Sequence, residues 1–189
     1  MTKSRGAGRP RKSDQTLSRH TVIAAALPIV QRVGVDALSF RVLAEQLGVT
    51  PMAVTYHSGG KKELVADLVE VAFAGTLEER EGDSAPQQAR LILSQYCARA
   101  LVNAHLLRAV LSDLSLMSPA LVKITEKLSE VTRILSDGDE GDVLMHLLVD
   151  YTHGFVLSAT ANGENPLTTD DFLRGLDWIL DRADKQTER

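Results

Sequence analysis

Residues 38–64, LSFRVLAEQLGVTPMAVTYHSGGKKEL, constrain the fold of this chain more than any other stretch. Apolar residues recur in it at helical spacing, and glycines interrupt the pattern at Gly48 and at Gly59-Gly60. The pattern predicts two short helices joined by a tight turn, followed by a third helix that begins at paired lysines. This layout is typical of a helix-turn-helix, in which the second helix enters the major groove of DNA.

Local residue chemistry defines where these helices begin and end. Ser39 and Thr50 are placed as N-caps, and Pro51 occupies the first helical position, where a missing N–H costs nothing. A preceding helix is expected to stop at Gly34, with a kink or compensating packing at Pro28. The inward-facing residues of the four helices are predicted to be Val22, Ala25, Ala26, Ile29, Val33, Val42, Leu43, Leu47, Val54, Leu64, Val65, Leu68, Val71 and Ala72.

Charge is divided unevenly along the chain. Residues 1–62 contain ten Lys and Arg against three Asp and Glu, a net charge of +7, whereas the whole chain carries −4. The remaining residues therefore carry −11. A basic end on an acidic body is typical of a protein that presents one end to a polyanion, although such charges can also be merely solvated.

The fold class is predicted to be all-α, with about nine helices, because no convincing strand-like alternation with turn pairs occurs. Loops rich in breakers or acidic residues are expected at 78–86, 136–142 and 162–169. Helices beyond the first three are expected at 61–74, 87–102, 106–117, 119–135, 142–161 and 170–183. The predicted organisation is a disordered basic arm (1–14), a helix-turn-helix domain (15–75) and a larger helical ligand-binding and dimerisation domain (76–189).

Cysteine content and hydropathy limit the protein class. Cys97 is the one cysteine, which excludes an intrachain disulfide and a cysteine-based zinc cage. No apolar run approaches the roughly 20 residues needed to cross a bilayer, and the basic start lacks the apolar block of a signal peptide. A cytoplasmic protein without a membrane partner is expected.

The last two long helices are predicted to form a homodimer interface. The helix at 142–161 carries apolar residues on more than one side, and such a helix is buried on two sides. One side would face the core and the other a second copy; the alternative is a helix fully buried within a monomer. Dimerisation is favoured because a single short helix-turn-helix makes few phosphate contacts, and two copies on a palindromic operator double them.

From Leu17 to about Ala74 the chain resembles the N-terminal domain of the TetR (tetracycline-repressor-like) family of transcriptional regulators. The resemblance is carried by LSFRVLAEQLGVTPMAVTYH, by the following GGKKEL and by the preceding VGVDAL. It implies a sequence-specific regulator that binds double-stranded operator DNA, expected to be a repressor that a small-molecule effector releases. The chain departs from the family pattern at Thr55, where many members have tyrosine, and at Ser58 and Gly59.

Expected DNA contacts lie in and around the two short helices. Ser39 and Lys61 are at helix N-termini, where side chain and free N–H groups together hold a phosphate. Arg41 is the candidate for guanine recognition through its two-pronged donor face, with an ion pair to Glu45 as the alternative. The further candidates, for thymine-methyl, base-edge and phosphate contacts, are Thr50, Pro51, Met52, Ala53, Thr55, Tyr56 and His57.

The basic arm contains Gly8-Arg9-Pro10-Arg11-Lys12, which is similar to the core of minor-groove AT-hooks. A cationic arm of this kind either enters the narrow groove beside A·T pairs or is attracted to phosphates without insertion. The second reading requires only charge and is the simpler one.

The family resemblance implies a small-molecule pocket among the C-terminal helices. Polar residues placed among apolar ones are candidate effector contacts, and methionine and phenylalanine side chains are candidate apolar walls. The candidates are Tyr96, Asn103, His105, Met117, Met145, His146, Tyr151, His153, Phe155 and Asn162. Each could instead be an ordinary core or surface residue.

Catalytic and cofactor motifs are absent from the sequence: there is no Gly-rich phosphate loop, nucleophile elbow or paired-histidine zinc motif. Cys97 lies in an apolar helix and is interpreted as a small hydrophobe. His146 and His153 are seven residues apart but lack a third ligand nearby in sequence, so no metal is expected. Neither an enzyme nor a cofactor is predicted. The alternative function is a ligand-independent architectural or dimeric DNA-binding protein.

Overall fold

The computed structural model describes residues 17–77, 84–136, 141–161 and 167–187, with side chains up to residue 183. Within these ranges the chain forms nine α-helices and no strand, which confirms the predicted all-α class. The helices are α1 (Arg19–Val33), α2 (Phe40–Leu47), α3 (Pro51–Ser58), α4 (Lys61–Phe73), α5 (Ala85–Val102), α6 (Ala104–Ser112), α7 (Pro119–Leu135), α8 (Val143–Ala159) and α9 (Thr169–Thr187). The predicted basic arm, most of the loop at 78–86, and Asn162 lie outside the described residues.

The boundaries of the first helices follow from local chemistry. The Ser39 Oγ accepts a hydrogen bond from the Arg41 N–H at 3.3 Å, and the Thr50 Oγ1 accepts one from the Ala53 N–H at 3.2 Å. Gly48 adopts the left-handed conformation, with φ of 68°, so the chain turns directly from α2 into α3. Helix α1 continues through Pro28, which lies on an exposed side of the helix.

Helix α4 is shared between the N-terminal helices and the rest of the molecule. It contacts α1 and α3 as well as α5, α6 and α7. Its buried side chains are Leu64, Val65, Leu68, Val69, Ala72 and Phe73. These residues belong to one contiguous hydrophobic core that also includes residues of α1 and α5. The helix therefore connects the predicted helix-turn-helix to the C-terminal helices.

Three valines predicted to face the core are instead about half exposed: Val33 at 50%, Val42 at 46% and Val71 at 47%. Val33 is the last residue of α1 and is exposed, although Val30 before it and Gly34 after it are buried. Val42 lies about 100° round the helix from Leu43 and points away from the buried face of α2. The helical period predicts which residues share a face of a helix, but it does not predict which of them a neighbouring helix covers.

Two C-terminal helices differ from their predicted bounds by more than two residues. The predicted helix 106–117 ends at Ser112 because the Asp113 side chain accepts a hydrogen bond from the Ser115 N–H at 3.0 Å, which forms a local turn. A short 3-10 helix, Leu114–Leu116, follows. The last helix is longer than the predicted 170–183 and extends over Thr169–Thr187.

Helix α8 is apolar on more than one side, as predicted. Leu148 and Phe155 are buried, whereas Val143 and Leu147 are 66% and 52% exposed. On the neighbouring α9, Trp178 is 58% exposed. The described helices include none that is long and apolar enough to cross a membrane.

Candidate nucleic-acid interface

Helix α3 presents one polar and aromatic face to solvent and anchors the other in the core. Val54 and Ser58 are completely buried, and the Ser58 Oγ donates a hydrogen bond to the Val54 carbonyl at 2.8 Å. On the opposite side Met52 and Tyr56 are 78% and 85% exposed, and Pro51 and Thr55 are exposed beside them. Burial of Val54 was predicted, and this burial fixes which four side chains point outward.

Ala53 and His57, also predicted as DNA contacts, lie at the edge of this exposed face. Both are half-buried. The His57 ring meets the Tyr56 ring edge-on, with ring centroids 5.2 Å apart. His57 is therefore placed to hold the Tyr56 ring in position and also to contact a ligand bound at this exposed face.

Arg41 adds a cation beside α3. Its side chain is exposed, and within the described residues it forms no ion pair, including none with Glu45. Ser39 and Thr50, each at the N-terminus of its helix, are also exposed. An exposed guanidinium that no carboxylate neutralises is available to a phosphate or to a guanine edge.

The two lysines at the start of α4, Lys61 and Lys62, have different partners. The Lys61 Nζ is exposed and donates only a long hydrogen bond, 3.5 Å, to the Asp36 carbonyl. The Lys62 Nζ instead lies 3.2 Å from the Asp113 carboxylate, beyond the end of α6. A third cation, Arg19, is bound by both carboxylate oxygens of Asp67. Of these three cations, Lys61 is the one that no carboxylate holds.

The predicted effector contacts form two groups in the body. In one, the Tyr96 hydroxyl lies 2.7 Å from the His153 Nε2, and the Tyr96 ring contacts Phe73 at the end of α4. Burial raises the pKa of Tyr96 and lowers the pKa of His153, an effect that Asp150 partly opposes. In the other group, Tyr151 and Phe155 pack on Phe172, and the Tyr151 hydroxyl donates to the Phe172 carbonyl at 2.9 Å.

Five other predicted effector contacts lie apart from these groups. Asn103 and His105 are at the start of α6, where they contact α1. His146 and Met117 are on the surface. Met145 is buried in α8. Sequence reasoning did not include Gln31, the α1 partner of Asn103, because a lone glutamine on a helix carries no recognisable motif.

A cleft of about 220 Å³ opens between the end of α4 and α7. Phe73 and Ile124 form its apolar floor, and Lys123 stands at its rim. Glu70 also lines it, and its Oε2 accepts a hydrogen bond from the Ala120 N–H at 2.8 Å. None of the predicted effector contacts lines this cleft.

The one cysteine of the chain, Cys97, is buried in α5. Burial raises the pKa of Cys97 to about 12, so the thiol stays protonated at neutral pH. Among the described residues no group of three or more His, Cys, Asp or Glu side chains is arranged to hold a metal ion.

No family model matches the chain. About a third of the chain is similar to two tetracycline repressors. It is 45% identical over 58 residues to the class A repressor from transposon 1721 of Escherichia coli, which covers 31% of this chain and 27% of the repressor. It is 39% identical over 72 residues to the class G repressor of Vibrio anguillarum, covering 38% and 32%. The chain thus matches about a third or less of the length of these curated relatives.

Solved structures share the fold over most of the chain. BioQ in complex with its double-stranded DNA operator superimposes with a TM-score of 0.73 and 24% identity, covering 90% of this chain and 99% of BioQ. ActR from Streptomyces coelicolor, a TetR family protein in complex with (S)-DNPA, superimposes with a TM-score of 0.69 and 18% identity, covering 90% and 98%. At these identities the likeness concerns the fold.

Proposed function

We propose that this chain, a TetR-family protein by its fold and by the sequence of its N-terminal third, is a cytoplasmic transcription regulator that binds operator DNA as a homodimer. Residues 15–75 are the DNA-binding domain, and residues 76–189 are the domain for dimerisation and effector binding. The observation that carries the proposal is the outward face of α3, on which Met52, Thr55 and Tyr56 are exposed around a buried Val54.

Each part of this face has its own role on DNA. Helix α3 enters the major groove, where Met52 contacts thymine methyl groups and Thr55 and Tyr56 reach base edges or phosphates. Arg41, unpaired in the described structure, reads a guanine. Ser39 and Lys61 hold phosphates at the N-termini of α2 and α4, where the helix dipole adds to their hydrogen bonds. Pro51, Ala53 and His57 complete the contact surface.

Dimerisation through α8 and α9 brings two such faces to one duplex. Val143, Leu147 and Trp178 are all more than half exposed in the single chain, which is costly for large apolar side chains unless a partner covers them. The operator complex of BioQ, which has the same fold, supports DNA as the ligand of the N-terminal helices. A second copy on a palindromic site doubles the contacts of one small helical unit.

A small molecule that binds the C-terminal helices releases the repressor from its operator. The ActR complex with (S)-DNPA supports this role for the fold. Tyr96 and His153 are the polar pair that we expect to contact the effector, since each can exchange their mutual hydrogen bond for one to a ligand. By linkage, the effector must bind more weakly when operator is bound.

Two substitutions test the DNA-binding face. Arg41→Ala is expected to cost about 1–3 kcal/mol on the specific site and to relax base preference at one position of each half-site, because a bidentate guanine contact is lost. Lys61→Ala is expected to weaken all sequences alike and to reduce the salt dependence of log K by about one unit per protomer. Selection of bound duplexes from a random library, followed by fluorescence anisotropy titrations at several salt concentrations, measures both effects.

The control is Arg133→Ala, which removes an exposed arginine of α7 that pairs with Asp142, and it is expected to leave DNA affinity unchanged. Equal loss on every sequence for Arg41→Ala would show that Arg41 touches only phosphate. If the unaltered protein selects no sequence from the library, the proposal is wrong. If the protein binds one sequence selectively and no small molecule releases it from that sequence, it is the ligand-independent DNA-binding protein instead.

A further inference from the structure

Helix α1 is joined directly to α6 by four residues, here called the α1–α6 junction: Gln31 in α1, Gly34 at its C-terminal cap, Asn103 at the N-terminal cap of α6, and His105 in α6. The Gln31 Nε2 donates a hydrogen bond to the Asn103 Oδ1 at 2.9 Å across 72 residues of sequence. Gln31 is half-buried and Asn103 is only 5% exposed. The bond is therefore partly shielded from water and from salt.

The Asn103 amide can accept this bond in one orientation only. Its Nδ2 donates to the Arg99 carbonyl at 2.8 Å, within the same polypeptide turn. Rotating the amide by half a turn would place its oxygen against the Arg99 oxygen and its NH2 group against the Gln31 NH2 group. Because both ends of the amide are used, Asn103 presents a fixed acceptor and Gln31 must present a donor.

Gly34 brings the end of α1 into contact with α6 beside this bond. It caps α1 with φ of 87° and ψ of 169°, and a Cβ added there would lie 3.2 Å from the His105 Nδ1. The absence of a side chain at this position allows the chain to approach the first turn of α6 closely. The junction thus combines a directional hydrogen bond with a steric stop.

The other polar links between the N-terminal helices and the body are different in kind. The Lys62–Asp113 ion pair has side chains 59% and 48% exposed, so water and salt weaken it. Glu70 reaches the Ala120 N–H from the far end of α4. Among these links the Gln31–Asn103 hydrogen bond is the one between two neutral side chains, and it holds α1 rather than α4.

We propose that the α1–α6 junction fixes the angle of the DNA-binding helices on the body and thereby sets the spacing of half-sites that the dimer accepts. The inference rests on the proposed function, because spacing has meaning only for two DNA-binding units on one duplex. One base pair of extra spacing moves a half-site by about 3.4 Å along the axis and rotates it by about 34°. A fixed angle tolerates neither change, whereas a loosened one adapts to both. Gln31 and Asn103 are positioning residues in this scheme and do not touch DNA.

Gln31→Glu tests the proposal by replacing the donor with a carboxylate that faces the fixed Asn103 acceptor. Gln31→Met, which removes the donor without adding charge, is the second variant. The matched control is Gln95→Glu, the same change on a half-buried glutamine of α5. Circular dichroism and gel filtration confirm that each protein is folded and of the same oligomeric state. Affinity is then measured on duplexes carrying two selected half-sites whose spacer changes by single base pairs, and on a duplex carrying one half-site.

The unaltered protein and Gln95→Glu are expected to show a sharp optimum of spacing. In Gln31→Glu and Gln31→Met the ratio of Kd at one base pair from the optimum to Kd at the optimum is expected to fall at least about fivefold, while single-half-site affinity changes less than about twofold. The same loss of spacing selectivity should be seen at high salt, since the Gln31–Asn103 bond that the variants remove joins two uncharged side chains.

Two outcomes overturn the inference. The first is a spacing profile in both Gln31 variants that matches the control. The second is an equal loss on the single half-site, which would mean that Gln31 acts through the fold of the N-terminal helices themselves. Failure of the proposed function appears separately, as an unaltered protein without preference for any half-site or spacing.

Discussion

Gly34→Ala is expected to destabilise the protein through two separable effects. Gly34 occupies a backbone region, φ of 87° and ψ of 169°, that only glycine adopts readily. Its N–H donates to the Val30 carbonyl at 2.9 Å, so the end of α1 is held in place and cannot relax by simple unwinding. The new methyl group would also lie 3.2 Å from the His105 Nδ1, closer than ordinary van der Waals contact.

The size of the effect follows from these two terms. Backbone strain at such a position costs about 1–3 kcal/mol, and the close contact adds up to about 1 kcal/mol, the low end of the cost of overpacking. Alanine also lowers the conformational entropy of the unfolded chain, which stabilises the folded state by about 0.4–1 kcal/mol and partly offsets these costs. These terms combine to an expected loss in the free energy of unfolding of about 0–3.6 kcal/mol, with a midpoint of about 2 kcal/mol.

Gly48→Ala is the matched control. Gly48 also has positive φ, but at φ of 68° and ψ of 32° it lies in the left-handed helical region, and an added Cβ would meet nothing within 4 Å. The strain there is about 1–2 kcal/mol, again offset by about 0.4–1 kcal/mol from the unfolded chain. The control is therefore expected to lose about 0–1.6 kcal/mol, with a midpoint of about 0.8 kcal/mol and no contribution from His105.

Urea unfolding followed by circular dichroism, at one fixed protomer concentration, measures these losses as a shift in midpoint at unchanged slope. Adding His105→Ala to each glycine variant separates the two terms. The double variant with Gly34→Ala is expected to show a coupling of about 0.5–1 kcal/mol, and that with Gly48→Ala none. Equal losses for the two glycine variants, or zero coupling at Gly34, would refute the account of the junction.

Two further predictions concern the body. Leu147→Glu on α8 is expected to convert the dimer to monomer in sedimentation experiments, because it places a charge in the proposed apolar interface. The control is Leu111→Glu, which changes an exposed leucine of α6 and should leave the protein dimeric. If both variants are dimers, α8 is not part of the interface. His153 has a lowered pKa in the folded protein, so the unfolded chain binds more protons below about pH 6.5 and the contribution of this histidine to stability is lost as pH falls. His153→Gln should therefore lose less unfolding free energy than the unaltered protein between pH 7.5 and pH 5.5, and equal losses would show that His153 is not held neutral.

The sequence predicted best those features that depend on neighbouring residues. The Ser39 and Thr50 caps, Pro51 at the start of α3 and the turn at Gly48 are local geometric requirements, and each occurs where predicted. The burial of Val54 followed from the same pattern. The outward face of α3 was therefore predictable before any tertiary structure was known.

Features that depend on distant parts of the chain were not predictable in this way. Asn103 and His105 were grouped with Tyr96 because all are polar residues among apolar ones, yet they face α1 rather than the interior of the body. The same pattern in sequence cannot distinguish a residue that lines a cavity from one that joins two helices. Val42 shows the corresponding error for apolar residues, since a valine on a short helix fits either face until its neighbours are known.

The double packing of α4 has a consequence for how this protein can be recombined. Its apolar residues complete the hydrophobic interior on both sides, and Glu70 caps the start of α7. A chimera that joins the first 75 residues to the C-terminal helices of another protein of this fold would set an unmatched surface of α4 against those helices. New combinations of N-terminal and C-terminal helices in this fold therefore require grafts that carry the facing residues of α5, α6 and α7 along with α4.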